Sequence, residues 1–347
     1  MAAVKSVVKI SDVARAAGVS PMTVSRVMNH VPGVKAATRE AVMEAVERLG
    51  YTPNAAARSL ARAGAGRLGI LYSNPSASYL SEFLIGALEG VHRAGAQLLI
   101  EKCEPDAASE RAAITRLVAG GVVGVVLPPP HGESWAALGE LQAHGLRAVA
   151  VAAGRFKSDA LGVRIDDMAA AADMTRYLLE LGHRRIGFIK GASNQTASAE
   201  RLIGFETELA MAEPTAECLV EAGEFTYRSG FEAAERLLSA RRPPTAIFAS
   251  NDDMAAAAIA VAHRRGLDVP GQLTVVGFDD TPLATAVWPS LTTIRQPIAE
   301  MAETAIRLLT ETPPGRERDE DLPQEHLMAH SLVIRESSGP PRSLAEA

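Results

Sequence analysis

Ile10-Ser-Asp-Val-Ala-Arg-Ala-Ala-Gly-Val-Ser-Pro-Met-Thr-Val-Ser-Arg-Val-Met-Asn29 contains two short runs of apolar residues at helical spacing, separated by Gly18. Glycine can adopt the left-handed conformation that a sharp turn requires, so Gly18 ends the first run. Ser20 can cap a second helix, and Pro21 fits its first position, where a missing N–H costs nothing. The stretch therefore predicts a helix-turn-helix, although its spacing alone also fits an ordinary helical hairpin. The outward face of the second helix, suited to phosphates and base edges, contains Met22, Thr23, Ser25, Arg26 and Asn29.

The composition is that of a globular chain with more than one domain. Its 347 residues exceed what one compact core holds, and 47% of them are hydrophobic against 22% charged. Cys103 and Cys218 stand far apart without metal-site or disulfide spacing, and we expect reduced, buried thiols. The chain shows neither a leading apolar segment nor a run of about eighteen apolar residues. We therefore expect a cytoplasmic protein with no membrane, metal or cofactor partner.

The charge is distributed unevenly along the chain. Residues 1–67 contain ten Lys and Arg against four Asp and Glu, whereas the remainder is acidic and brings the total to −6. A small basic segment on an acidic body is typical of a nucleic-acid-binding head joined to a domain that does not bind DNA. A basic tail that is merely solvated would not explain the helical patterning of this segment.

The rest of the sequence divides into a helical part and an α/β part. Helical spacing resumes over Ala36–Leu49, and a run of about two turns at 54–62 is too short to be stable alone, so we expect it to order on meeting a partner. From Leu68 onward, apolar strands alternate with helical runs, and the alternation occurs twice. This pattern predicts parallel sheets covered on both faces, and hence two lobes with a ligand cleft between them. The predicted strands are 68–72, 97–100, 122–127, 148–151, 161–165, 185–189, 246–249, 274–278 and 330–334.

Motifs in both parts of the chain occur in the order of one known family. The head contains Gly18-Val-Ser, Thr23-Val-Ser-Arg-Val and Gly50-Tyr-Thr-Pro-Asn54, and the body contains Leu181-Gly-His-Arg-Arg-Ile186 and Val275-Val-Gly-Phe-Asp-Asp-Thr281. From residue 9 to about 336 the chain resembles the lactose-repressor (LacI/GalR) family of bacterial transcription regulators. The resemblance implies an all-α helix-turn-helix head followed by an α/β effector domain. That domain would be a two-lobed periplasmic-binding-protein-like (type I) fold with parallel sheets.

The resemblance also implies how the chain is divided. Residues 1–51 would form the head, 52–66 a hinge helix and linker, and 67–336 the effector-binding and dimerisation domain. Crossovers would join the lobes, and the chain lacks the long apolar C-terminal helix of the family's tetramers, so we expect a homodimer. We expect residues 337–347 to be a disordered tail. The expected lobes are about 67–162 plus 293–325 for the first and about 163–292 plus 326–336 for the second.

Carried over by position, the resemblance assigns the DNA contacts. Pro21, Met22 and Arg26 would read bases, and Arg26 can make a bidentate contact to guanine. Leu60 would wedge between base pairs in the minor groove, although without the resemblance it is simply a core-facing leucine. The other positions are Ser20, Thr23, Ser25, Asn29 and Lys35 for phosphates, and Asn54 and Ala57 for the minor groove.

The resemblance places the effector between the lobes. Arg201, Asn251 and Asp279 can donate to and accept from adjacent hydroxyls of a sugar, and Phe225 would supply a flat apolar wall. Taken singly, Asn251 and Asp279 also fit helix or turn caps, and Arg201 a solvated helix residue. Trp288 could stack on a sugar, but the family places its segment near the dimer interface. Further candidates are Ser73, Tyr79 and Gln296.

These features predict a DNA-binding transcription regulator, more specifically a repressor of a pseudo-palindromic operator, controlled by a small metabolite such as a sugar. One alternative is a sugar-binding component of a transport system with the same two lobes. Another is a corepressor-dependent regulator that binds a purine-like ligand. We do not expect an enzyme, because no nucleophile–base pair, phosphate loop or metal spacing occurs, and His183 and His263 fit turn or surface positions.

Overall fold

The computed structural model describes residues 10–28, 35–49, 66–73, 75–154, 161–311 and 325–341. The chain separates into two compact units, residues 1–64 and 65–347, which are referred to below as the head and the body.

The head is a small helical unit. Helix α1 (Ile10–Ala16) leads through Gly18, whose φ is +67°, into α2 (Pro21–Met28). The Ser20 hydroxyl accepts a hydrogen bond from the Thr23 amide at 3.1 Å, which confirms the predicted cap of α2. Helix α3 spans Ala36–Leu49, the predicted bounds. The head's core contains Val13, Ala14, Val24, Val27, Val42 and Ala45.

The first lobe of the body is built on a six-stranded, all-parallel sheet in the order β11-β5-β4-β3-β1-β2. Its central strands are apolar on both faces because helices cover both sides. The strands are β1 (Arg67–Tyr72), β2 (Gln97–Lys102), β3 (Val122–Leu127), β4 (Arg147–Val151), β5 (Leu161–Ile165) and β11 (Glu325–Met328). The helices are α4 (Ala77–Ala94), α5 (Ala107–Ala119), α6 (Trp135–Ala143) and α12 (Ile298–Glu311), with a short 3-10 turn at His131–Glu133.

The second lobe repeats this design in the order β12-β10-β9-β8-β6-β7, with only the β10–β12 pair antiparallel. Its core includes Phe188 stacked on Phe205 at 4.7 Å, with Phe248 edge-on to Phe188 at 5.2 Å. The strands are β6 (Arg185–Lys190), β7 (Glu217–Ala222), β8 (Ala246–Ala249), β9 (Thr274–Asp279), β10 (Thr292–Arg295) and β12 (Ser331–Val333). The helices are α7 (Asp167–Glu180), α8 (Thr196–Ala210), α9 (Tyr227–Leu238), α10 (Asp252–Arg264) and α11 (Leu283–Ala286).

The chain crosses between the sheets in the short segments after β5, β10 and β11. The expected lobe limits are therefore wrong at three places. Residues 163–165 and 326–328 belong to the first sheet, because β11 pairs along its whole length with residues 162–165 of β5, and residues 161–163 of β5 pair with β4. Residues 293–295 belong to the second sheet, because β10 pairs with β9.

The segment 337–341 is packed against the second lobe, so the expectation of disorder from Ser337 onward is wrong for these residues. Ser337 is fully buried; its hydroxyl donates to the Val275 carbonyl at 2.6 Å and accepts from the Thr292 amide at 2.9 Å. The Gly339 carbonyl contacts His183 Nε2 at 2.9 Å. His183 is accordingly buried rather than at the surface, and its burial lowers the imidazole pKa. Residues 342–347 lie outside the described residues.

The two cysteines differ in environment. Cys103 is buried, as expected, but Cys218 is exposed, because it lies on β7, which is an edge strand of the second sheet. No helix within the described ranges is long and apolar enough to span a membrane.

Candidate functional site

The carboxyl ends of the strands of both sheets meet at a small cavity between the lobes. Its volume is about 30 Å³, far below the roughly 300–1,000 Å³ of a typical small-molecule pocket, so the lobes lie close together. Six of the seven predicted effector residues line it, and Ser73 does not. The lining residues are Pro75, Ser76, Tyr79, Pro129, Ala152, Gln195, Ala197, Arg201, Phe225, Asn251, Asp279 and Gln296.

Arg201, on α8, is buried in a network of its own lobe and is not a solvated helix residue. Its Nε donates to Asp167 Oδ1 at 2.7 Å and its Nη1 to the Ser250 carbonyl at 2.5 Å. The guanidinium carbon lies 3.5 Å from the centroid of the Phe278 ring, a cation–π contact. Arg201 therefore braces the cavity wall while facing the cavity.

Asp279, at the end of β9, is the principal acceptor in the cavity. Its Oδ1 accepts from Gln296 Nε2 at 2.5 Å and lies 3.8 Å from Arg201 Nη1. Burial raises the pKa of Asp279 to about 7, and Arg201 and Gln296 offset only part of that shift. Burial likewise raises the pKa of Asp167, and burial together with Asp279 raises that of Asp252. The cavity region thus holds more buried carboxylates than cations.

Asn251 caps α10 and also lines the cavity. Its Oδ1 accepts from the Met254 amide at 3.0 Å, and its Nδ2 donates to the Phe225 carbonyl at 3.0 Å. Each of these groups has a further hydrogen-bonding valence. Asn251 also holds the aromatic wall in place through the backbone of Phe225. A Cβ on Gly191 would lie 2.0 Å from the Phe225 ring, so glycine is required there for the ring to reach the cavity.

The opposite wall, from the first lobe, presents Tyr79. Its hydroxyl is buried and has no hydrogen-bond partner among the described residues, as is also true of Gln296 Oε1 and Ser73 Oγ. Burial, together with Asp279, raises the pKa of Tyr79, so the phenol stays protonated. A buried polar atom without a partner costs stability, so the Tyr79 hydroxyl and Gln296 Oε1, which line the cavity, mark places where a bound molecule would supply the missing hydrogen bonds.

Strained backbone is concentrated at this cavity. Four non-glycine residues have positive φ in the described ranges: Ala152 (+50°), Phe225 (+57°), Asp279 (+114°) and Asp280 (+56°). Three of them line the cavity and Asp280 adjoins it. Such conformations cost about 1–3 kcal/mol each and occur preferentially at ligand-binding sites.

Sequence reasoning missed several residues of this site. Asp167 was overlooked because, read alone, an acidic residue in the first turn of a helix indicates only a cap. Gln195 and Pro129 lie in loops whose sequence has no helical or strand periodicity. Both loops follow the carboxyl ends of parallel strands, which meet at the same edge of a sheet, and this placement was the signal that could have identified them.

The head presents its candidate residues on and beside α2. Met22 is 69% exposed although it is large and apolar, which suits an apolar contact to a base edge. The Ser20 and Thr23 hydroxyls contact each other at 2.9 Å, and Lys35 is exposed immediately before α3. Pro21, Ser25 and Arg26 lie within α2. The predicted contacts Asn29, Asn54, Ala57 and Leu60 lie outside the described residues.

Comparison with known proteins places both parts of the chain. Residues 9–54 match bacterial regulatory proteins of the lacI family, and residues 175–338 match the periplasmic binding protein-like domain. Catabolite control protein A of Priestia megaterium is 33% identical over 338 residues, 95% of this chain and 99% of that protein. The transcriptional repressor PurR of Shigella sonnei is 34% identical over 304 residues, 86% of this chain and 89% of that protein.

Solved structures agree. The lac repressor dimer bound to operator and the anti-inducer ONPF has a TM-score of 0.73 at 26% identity, covering 96% of this chain and all of that one. The complex of the transcriptional regulator CelR with cellobiose has a TM-score of 0.69 at 29% identity, covering 95% of this chain and all of that one.

A helix-turn-helix head joined to a two-lobed type I periplasmic-binding-protein-like body defines a class of transcription regulators. The chain belongs to the lacI family of bacterial regulatory proteins. Of the relatives named above, PurR is a transcriptional repressor and CelR a transcriptional regulator.

Proposed function

We propose that this protein is a dimeric repressor whose operator affinity is set by a neutral, polyhydroxylated effector, a sugar or sugar derivative, bound between its lobes. One observation carries the proposal. Tyr79, Arg201, Phe225, Asn251, Asp279 and Gln296, assigned to the effector from sequence alone, line one cavity.

The chemistry of the cavity favours a ligand that mainly donates hydrogen bonds. Gln296 Oε1 and the carboxylate of Asp279 accept, and two of the five N–H donors of Arg201 are already directed at Asp167 and the Ser250 carbonyl. An anionic ligand would meet an excess of buried carboxylate, so a sugar phosphate fits poorly. Adjacent hydroxyls match the acceptors, and one face of a pyranose fits against the Phe225 ring.

A purine-like corepressor, the alternative given in the sequence analysis, is the second candidate ligand. Two aromatic rings line the cavity, those of Tyr79 and Phe225, and a flat heterocycle can stack against either. A purine would use the same acceptors through its ring N–H groups.

On the DNA side, we assign base reading to Pro21, Met22 and Arg26, and phosphate contacts to Ser20, Thr23, Ser25, Asn29 and Lys35. Asn54, Ala57 and Leu60 would follow as a hinge in the minor groove. The exposure of Met22 on α2 and the positive charge of residues 1–67 support this assignment. We retain 1–51 as the helix-turn-helix domain and 52–66 as the hinge helix and linker, and we extend the effector domain from 67–336 to 67–341 because residues 337–341 pack against the second lobe.

The test has two arms on the full-length chain. Selection from random duplexes is expected to yield a pseudo-palindrome, and Arg26→Ala to relax its sequence preference. A thermal-shift panel of neutral sugars, sugar phosphates and purines is expected to show a hit among the neutral sugars. A ligand at 100 times its Kd stabilises by about 2.7 kcal/mol. Sequence-blind DNA binding would overturn the repressor assignment, and a hit confined to phosphates or purines would overturn the neutral-sugar assignment.

A further inference from the structure

Glu133 joins the two lobes across the cleft, outside the set of residues assigned to the effector. It lies at the end of the 3-10 turn that follows β3 in the first lobe. Its Oε2 accepts from the Thr196 amide at 2.9 Å and from the Thr196 hydroxyl at 2.6 Å, at the first residue of α8 in the second lobe. Its Oε1 accepts from the Gly154 amide at 2.9 Å. One carboxylate thus serves donors on both sides of the cleft.

This contact is strong for a side-chain pair. A carboxylate at a helix N-terminus meets free amides and the positive end of the helix dipole. Its hydrogen bonds are charge-assisted, and α8 has no side-chain cap from its own preceding residue, Gln195. Glu133 therefore supplies from the other lobe the cap that α8 otherwise lacks.

The turn that bears Glu133 is braced inside the first lobe. His131 Nδ1 lies 2.8 Å from Glu110 Oε1, and the Ser134 hydroxyl donates to the other oxygen of Glu110. His131 and Glu110 are buried, and Cys103 Sγ lies 3.4 Å from His131 Nε2. With residues on both sides of Glu133 anchored in this way, a shift of α8 relative to the first lobe must break the Glu133 contact rather than carry the turn along.

A second polar contact closes another part of the cleft. The Ser76 hydroxyl, at the start of α4, donates to Asp253 Oδ2 in the first turn of α10 at 2.6 Å. The cavity of about 30 Å³ is lined by Ser76 of this contact and by Gln195 and Ala197, the neighbours of Thr196, and it is too small for a sugar unless the lobes part.

We propose that Glu133 is a positioning residue that clasps the lobes together and sets the balance between closed and open cleft on which effector binding depends. The link to an effector rests on the proposed function, but the clasp itself can be measured without any ligand or DNA.

The experiment measures the distance between the lobes in the full-length protein. The crossovers lie at the β5/β11 and β10/β12 ends of the sheets, so β2 and β7, at the opposite edges, separate most on opening. Spin labels are placed on the exposed Cys218 of β7 and on Arg111→Cys, on the exposed side of α5, while Cys103 is buried and unreactive. Pulsed electron–electron double resonance then measures the distance between the two labels. Labelled protein is mixed with an excess of unlabelled Cys218→Ser protein, so that in a dimer the measured distance is the one within a single chain.

Glu133→Ala is expected to add a population of molecules with a longer distance between the labels. Glu133→Gln keeps the shape of the side chain but loses its charge, and it is expected to give a smaller population with this longer distance. Thr196→Val, which removes one donor, should resemble Glu133→Gln and have little effect on top of Glu133→Ala. Glu89→Gln is the matched control, because among the residues that the structure describes this exposed side chain pairs with Arg93 of its own helix and with nothing in the other lobe. If Glu133→Ala lowers the Tm but leaves the distances unchanged, Glu133 is only a helix cap and the proposal is overturned. A failed effector screen would not affect this result.

Discussion

Arg201 shows why a cavity-lining residue can be a poor probe of binding. Its guanidinium neutralises the buried Asp167 and covers Phe278. Removal of one partner of a buried ion pair costs about 3–5 kcal/mol, because the other charge is left uncompensated. Loss of effector response in Arg201→Ala would therefore not separate a lost contact from a damaged lobe.

Tyr79→Phe is a cleaner test of effector binding than Arg201→Ala. It removes a buried hydroxyl that has no partner in the described structure, so the free energy of unfolding without effector is expected to stay equal or rise. If the effector bonds to this hydroxyl, its Kd should rise roughly fivefold, equivalent to about 1 kcal/mol. Scanning calorimetry without sugar measures the stability, and titration calorimetry with the sugar found in the thermal-shift panel measures the Kd. An unchanged Kd would remove Tyr79 from the effector site.

Asp279 makes stability depend on pH in a direction opposite to that of most carboxylates. Its pKa is raised by burial from 3.8 to about 7, so the folded protein binds its proton more tightly than the unfolded chain does. This contribution to the free energy of unfolding is fully present below pH 4 and is lost as the pH rises to about 7. Above that pH, Asp279 no longer makes stability depend on pH. In Asp279→Asn this decline should be absent, so the difference in unfolding free energy between the two proteins should change with pH between about 4 and 7. A further change is expected where Asp252 titrates, because Asp279 also raises the pKa of Asp252. A difference independent of pH would contradict the raised pKa.

At the level of elements, the segment after β12 is a structural part of the second lobe. Ser337→Ala removes two buried hydrogen bonds and leaves the Thr292 amide and the Val275 carbonyl without their partner. Denaturant unfolding should show a loss of about 1–3 kcal/mol. Ser331→Ala, at an exposed position of β12, is the control and should be neutral within about 0.5 kcal/mol. Equal effects of the two substitutions would mean that Ser337 is not buried in solution.

Elements with a strong apolar period were predictable, whereas two of the four edge strands, β7 and β11, were not. Helix α3 and strands β3, β5 and β8 have the predicted bounds. Helix α3 has apolar residues at helical spacing, and the three strands are largely buried, mostly apolar runs between turn residues. Strands β7 and β11 were missed because exposed and half-buried positions alternate along most of these two edge strands, so neither is a continuous buried apolar run. The family resemblance assigned Asp279 to the site, whereas the positive φ of Phe225 and the Glu133–Thr196 contact depend on tertiary packing that no local pattern encodes.

The two parts of the molecule carry opposite net charges, with basic residues in excess at 1–67 and acidic residues in excess in the remainder. The body's excess of acidic residues repels the phosphate backbone, so DNA affinity must come from the basic head. Each phosphate contact releases a counterion, and binding should therefore weaken steeply with salt. Because the head holds its DNA candidates and the body its cavity, control by an effector requires coupling between two separate units.

That coupling is testable on the intact protein with the selected operator. The sugar identified by thermal shift is expected to change operator affinity roughly 5–150-fold, which corresponds to a coupling of about 1–3 kcal/mol. Tyr79→Phe should keep the operator affinity measured without sugar and shift the sugar response to higher concentration, because its change lies in the body alone. Arg26→Ala should do the reverse, weakening operator binding while leaving the thermal shift with sugar intact. Fluorescence anisotropy at two salt concentrations measures the operator affinity of the unmodified protein, Tyr79→Phe and Arg26→Ala, each with and without sugar. A sugar that stabilises the protein but leaves operator affinity unchanged would show that the cavity and the head are not coupled.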